Sequence, residues 1–253
     1  MVNIICVKWG NKYNSDITNR LYKMVSRNIS IPFNFYCYTE NSSGLNKNIN
    51  IIPIPDNYLE IYWNKLAMFQ KDFLPPGPCL YFDHDIVIQN NIDHLFNYLS
   101  SDLTMVRAYW KTDRSGNDLI TDGSPKREKD RWNMYANSSV LLWESNNCID
   151  IWNHFQKDPD YFMVQYKGID RFIFHEKMKI NFFPQGIIYS RIYGQKRGDY
   201  STAELTRNRI KEKGDEKFDC DGIYLHYIKD RTICLFNGPK YDWLYEGFEH
   251  YWS

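Results

Sequence analysis

The chain has 253 residues with 31 Lys+Arg against 31 Asp+Glu, so its formal net charge is zero. That balance excludes a broad electrostatic footprint for nucleic acid, which needs a basic surplus, and it excludes an acidic solvating tail. With 43% hydrophobic residues, 17% of all residues aromatic, the chain can bury a substantial core and is not intrinsically disordered.

Taken in chain order, the pattern alternates strand and helix. Residues 3–9 are apolar and β-rich, too short to cross a bilayer and without the flanks of a leader, so they read as a buried first strand. Residues 15–27 place Ile17, Leu21, Met24 and Val25 on one helical face, with Asn14 or Ser15 as N-cap. Residues 33–39 predict a second strand and 50–54 a short third. Residues 58–73 carry the helical stripe Leu59, Tyr62, Trp63, Leu66, Phe69 and Phe73. Pro75-Pro76-Gly77-Pro78 breaks the chain, and Cys79–Phe82 is a continuous apolar run, as expected of a central strand covered on both faces.

Beyond it, 103–109 reads as a strand, and 110–131 as a polar loop expected to act as a flap. A strand is predicted at 135–143 and helices at 146–156 and 168–178. Residues 193–219 are polar and charged, and 223–228 and 232–236 are β-like. These units predict one domain, 1–253, with a mostly parallel sheet. Residues 1–100 form a nucleotide-binding half and 101–253 a half for the groups being joined. The six cysteines (Cys6, Cys37, Cys79, Cys148, Cys220 and Cys234) form no C-x-x-C pair. They suggest a reducing, cytoplasmic setting with neither a disulfide framework nor a zinc site.

The most informative stretch is Asp83-His84-Asp85 at the end of the apolar strand. Spacing of i, i+2 on a strand aims Asp83 and Asp85 the same way and His84 elsewhere. Two carboxylates aimed at one point repel unless a cation lies between them, and hard divalent cations share such oxygens with phosphate. The same string resembles the D-x-D-x-[TV] of haloacid-dehalogenase-like phosphatases through Asp83, Asp85 and Val87. A later acidic motif for that family would be Gly214–Asp219. Its nucleophile normally lies on the first strand, however, and here three strands come before it.

A fuller resemblance is to the nucleotide-sugar-dependent glycosyltransferases of the GT-A type. Its marks, in order, are the loop Val7-Lys8-Trp9-Gly10, the helix with Trp63-Asn64-Lys65-Leu66, Asp83-His84-Asp85, Asn137-Ser138-Ser139-Val140, Gly168-Ile169-Asp170-Arg171, and Phe236-Asn237-Gly238-Pro239-Lys240. The resemblance implies an α/β, Rossmann-like fold with helices flanking the sheet. It also implies metal-dependent transfer of a sugar from a nucleotide-sugar, with a uridine diphosphate link favoured, to a glycan, lipid or protein acceptor. Asp83, Asp85 and Asn237 would hold Mn²⁺ or Mg²⁺, and Val7, Trp9, Gly10 and Tyr13 would frame the nucleobase. Lys65 and Lys240 would neutralise phosphate, and Asn137, Ser138 and Asp170 would face the sugars. Asp170 is the candidate base if configuration inverts. The family's usual metal-binding His is Asn237 here, and His226 is an alternative third ligand. Simpler roles are a solvated helix residue for Lys65, an N-cap for Asp170, a turn residue for Asn137 and a strand histidine for His226. A protein that binds a sugar or nucleotide without turnover is the competing class of function.

Overall fold

The computed structural model describes residues 1–55, 59, 61–109, 135–166, 168–195, 203–205, 224–237 and 247–252. The expected flap, Asp113, Asp118, Asp122, Gly214–Asp219 and Lys240 lie outside them. A seven-stranded sheet forms the middle, in the order β3-β2-β1-β4-β7-β6-β8. Its strands are β1 (Val2–Lys8), β2 (Phe33–Thr39), β3 (Asn50–Pro53), β4 (Pro78–Phe82), β6 (Leu103–Arg107), β7 (Ala136–Glu144) and β8 (Ile180–Phe182). All run the same way except β7, which is antiparallel to both neighbours, β4 and β6. The expectation of a mostly parallel α/β sheet holds.

Side-chain alternation gives the sheet two buried faces. On β1, Val2, Ile4 and Cys6 join one core, with Leu80 and Phe82 of β4 and Leu21, Met24 and Val25 of helix α1 (Ser15–Asn28). Ile5 and Val7 join the other, with Cys79 and Tyr81. Helix α1 starts where Asn14 accepts from the Ile17 amide at 3.1 Å. Its buried face takes Thr18 in place of the expected Ile17. The second core is covered by the segment Ile61–Phe69 and by helices α2 (Ile149–Phe155), α3 (Pro159–Tyr166) and α4 (Ile169–His175). Ile61–Phe69 is a 3₁₀ helix, where an α-helix over 58–73 was expected, and i→i+3 bonds continue through Phe73. Residues 63 to 69 are all buried, and Tyr62 is exposed. Trp63 stacks on Phe155 with ring centroids 5.3 Å apart. Truncating such a side chain costs about 3–5 kcal/mol.

A second, three-stranded sheet has the order β5-β12-β9, from Ile86–Ile88, Ile233–Leu235 and Ile188–Ser190. It packs on the α1 side of the core. A two-stranded sheet pairs β10 (Ala203–Leu205) with β11 (Tyr224–His226). The five described cysteines are free and buried. Among the described residues, no helix is long and apolar enough to cross a membrane.

Candidate active site

At the carboxyl ends of β1 and β4 lies a cavity of about 260 Å³ lined by Val7, Trp9, Lys12, Tyr13, Tyr62, Lys65, Tyr81, Asp83, His84 and Asp85. Ligands of open α/β sheets bind at such strand ends. Six residues singled out in the sequence meet here: Val7, Trp9, Tyr13, Lys65, Asp83 and Asp85. Gly10 turns the loop after β1 with φ +58°, and its amide donates to the Glu40 carboxylate. Without a Cβ it takes this left-handed conformation at little steric cost.

Asp83 leaves the β4 ladder, its amide donating to the Ser139 carbonyl at 2.9 Å. One carboxylate oxygen, Oδ1, accepts the Tyr81 hydroxyl and lies 2.8 Å from Lys65 Nζ. Burial works to raise Asp83's pKa. The Lys65 charge, with hydrogen bonds from Lys65, Tyr81 and Ser139, outweighs it and holds the carboxyl below its ordinary value. Lys65 is buried, which excludes the solvated-helix role. Its Nζ lies 3.2 Å from both the carbonyl and the hydroxyl of Ser138, and 4.5 Å from the centre of the Tyr81 ring.

The bend at His84 and Asp85 interrupts strand alternation, so all three residues of Asp83-His84-Asp85 line the cavity. This corrects the expectation that His84 would point away. Its Nε2 is 2.9 Å from the Thr18 hydroxyl of α1, and its ring stacks on Tyr13 at 5.0 Å. Burial, then the charges of Lys8, Lys12 and Lys65, push its pKa down to about 4 against the pull of Asp83, so it is neutral near pH 7. His84 also walls a second cavity of about 400 Å³, with Arg20, Glu249 and Trp252.

The Asn137-Ser138-Ser139 segment is a bulge in β7. Met105 pairs with Leu141, and the next residue, Val106, pairs with Asn137. Asn137 Oδ1 accepts from the Ser139 amide at 3.1 Å, the turn role considered for it. Asp170 is not the N-cap of α4, a position held by Gly168. Its Oδ1 instead accepts from the Ser138 amide at 3.0 Å. Asp170, Ser138, Lys65 and Asp83 thus form one chain of contacts. Asn137, Ser138, Asp170 and Gly10 stand next to the cavity residues and do not line the cavity itself.

Asn237 follows β12, which runs antiparallel to β5, and the Phe236 amide donates to the Asp85 carbonyl at 2.9 Å. Asn237, the residue after Phe236, does not line the cavity. Its side-chain oxygen accepts the Ser190 hydroxyl, and its backbone has φ +57°. His226 is buried on β11, where a Cβ on Gly194 would come within 2.7 Å of its ring.

Sequence reading missed Lys12, Tyr62, Tyr81 and His84 as cavity residues. For Tyr81 the signal was present: two residues before Asp83 on a strand, it shares that residue's face. The donor chemistry fits a divalent cation, because two hard carboxylates line one cavity. Among the described residues no three His, Cys, Asp or Glu side chains cluster to hold a metal. A cation here would complete its shell with phosphate oxygens and water, as Mg²⁺ commonly does.

No protein-family model matches the chain, and no curated protein sequence matches it. Solved structures do. An active-site mutant of LgtC is 15% identical with a TM-score of 0.57, covering 98% of this chain and 93% of that one. The galactosyltransferase LgtC in complex with donor and acceptor sugar analogues is 15% identical with a TM-score of 0.56, over the same shares. With its mostly parallel sheet, its helix-covered faces and this likeness along almost its whole length, the chain has the GT-A glycosyltransferase fold.

Proposed function

We propose that this protein is a metal-dependent glycosyltransferase that moves a sugar from a nucleotide-sugar, with a uridine diphosphate donor favoured, to a glycan, lipid or protein acceptor. The observation that carries the reading is that one cavity is lined by Lys65, Asp83 and Asp85 together with Trp9 and Tyr13. The solved structure of LgtC with donor and acceptor sugar analogues, on the same fold, supports it.

The chemistry follows from charge. Breaking the bond between sugar and nucleoside diphosphate builds negative charge on the leaving phosphate. A fixed ammonium and a divalent cation would stabilise that charge as it grows. Mn²⁺ or Mg²⁺ held by Asp83 and Asp85 would supply Lewis acidity at the diphosphate. Lys65, and Lys240 where the resemblance puts it, would face the phosphates. Trp9 and Tyr13 offer aromatic faces to the base. Asp170 holds the Ser138 amide and is the candidate base if configuration inverts.

The test is a thermal-shift panel of nucleoside diphosphates and nucleotide-sugars, with and without Mn²⁺, followed by turnover of whichever donor stabilises. At a free concentration of 100 times its dissociation constant, a donor stabilises the fold by about 2.7 kcal/mol. Stabilisation together with release of nucleoside diphosphate is the expected result. Stabilisation without release would favour a binding protein, and no stabilisation by any donor would overturn the reading.

A further inference from the structure

We propose that Lys65 is a built-in cation that pairs with Asp83 while no nucleotide is bound, and that it thereby couples divalent-metal binding to nucleoside-diphosphate binding. The inference rests on the reading above, in which Asp83 and Asp85 take a metal beside a diphosphate.

Lys65 Nζ lies 2.8 Å from Asp83 Oδ1, the oxygen that also accepts the Tyr81 hydroxyl. A divalent cation on this carboxylate and an ammonium at that distance repel each other. The lysine side chain is only 9% exposed, so salt and water screen the repulsion weakly. A buried ammonium cannot simply be left without an anion. It needs a second partner before it can give up the first.

The site supplies the means for that exchange. The lysine lies against the Ser138 carbonyl and hydroxyl, each 3.2 Å away, and over the Tyr81 ring. Ser138 is itself fixed by Asp170 at 3.0 Å. Lys65 and Asp83 line the same cavity, so Nζ can turn from Asp83 toward a phosphate bound there. The arriving diphosphate takes the ammonium, and Asp83 is released to the metal. Conversely, a metal on the acidic pair turns the ammonium toward phosphate. Linkage makes the two effects equal, and couplings of this kind run from about 5-fold to about 150-fold.

The experiment measures Mn²⁺ binding to the full chain by electron paramagnetic resonance of free Mn²⁺, with and without uridine diphosphate. Mn²⁺ bound by the nucleotide in solution is subtracted. Wild type should bind Mn²⁺ on the order of tenfold more tightly when uridine diphosphate is present. Lys65→Met should bind Mn²⁺ alone more tightly than wild type by a similar factor and lose most of the nucleotide enhancement. Lys65→Arg, which keeps the charge, should keep the coupling. Lys65→Gln replaces the methionine variant if circular dichroism shows that one unfolded. If the neutral variant binds Mn²⁺ alone no better than wild type while wild type still shows the enhancement, the inference falls and the proposed metal site stands. If no protein binds Mn²⁺ under either condition, both fall.

Discussion

Asp83 and Glu176 are each built into a similar local pattern. Each carboxylate accepts a tyrosine hydroxyl, from Tyr81 and Tyr166 respectively, and each pairs with a basic side chain. Lys65 is 2.8 Å from Asp83, and His154 Nε2 is 2.7 Å from Glu176. They differ in what surrounds them. Glu176 gives one oxygen to His154 and the other to Tyr166, which ties α2, α3 and the end of α4 together. Asp83 takes Lys65 and the Tyr81 hydroxyl on Oδ1, and Ser139 gives it a further hydrogen bond. It also has Asp85 two residues on and a cavity in front of both. A carboxylate tied between helices is a structural clamp, whereas one that stands beside a second carboxylate at a cavity can take a ligand.

Three experiments test that distinction. The largest effect should come from Asp85→Asn, which removes the second carboxylate at nearly constant shape. Transfer from a nucleotide-sugar should drop by roughly a hundredfold or more, the scale for losing one group that stabilises transition-state charge. The melting temperature should hardly move. Wild-type turnover at limiting metal would erase the difference between the two clusters.

Next comes the pair Tyr81→Phe and Tyr166→Phe. Each deletes one hydroxyl donated to a carboxylate, a loss of about 1.5–3 kcal/mol for a charged partner. Denaturant unfolding should show both losses. Only Tyr81→Phe should also change the affinity for Mn²⁺ with uridine diphosphate. A matching change in Tyr166→Phe would mean that the clamp reaches the site.

The smallest effect is a pH dependence at Glu176. The Tyr166 hydroxyl, with His154 and His175, holds its carboxyl below its ordinary value of 4.5 against the opposing effect of burial. A depressed native pKa contributes stability that is fully present above about pH 4.5 and lost as pH falls through the lower native value. Wild type should therefore exceed Glu176→Gln by about 1 kcal/mol at neutral pH, and the gap should close in acid. A gap that stays constant down to pH 3 would remove the clamp assignment.

Much of the fold was legible because its central strands are long and apolar. Expected and observed bounds agree at Phe33–Thr39 and differ by one residue at β4. β8 and β9, of three residues each, were not read from the sequence. Helix α3 was missed as well; its exposed Tyr161 and Val164 blur the apolar stripe. The acidic turn announced itself by following a buried strand. The partners of Asp83 were harder to foresee. Lys65 comes from a 3₁₀ helix and Ser138 from a bulge, and neither departure from regular geometry has a sequence period.

The pairing of β5 with β12 has a consequence for the order of biosynthesis. Ile86–Ile88 leave the ribosome soon after β4, but their partner Ile233–Leu235 is translated much later. So is Phe236, whose amide holds the Asp85 carbonyl. A nascent chain ending just after β8 could contain every strand of the central sheet and still lack the clasp on its acidic turn. Long-range pairings of this kind form late, since closing a large loop must precede the contact that rewards it. The growing polypeptide would therefore gain its shape before its acidic turn is clasped.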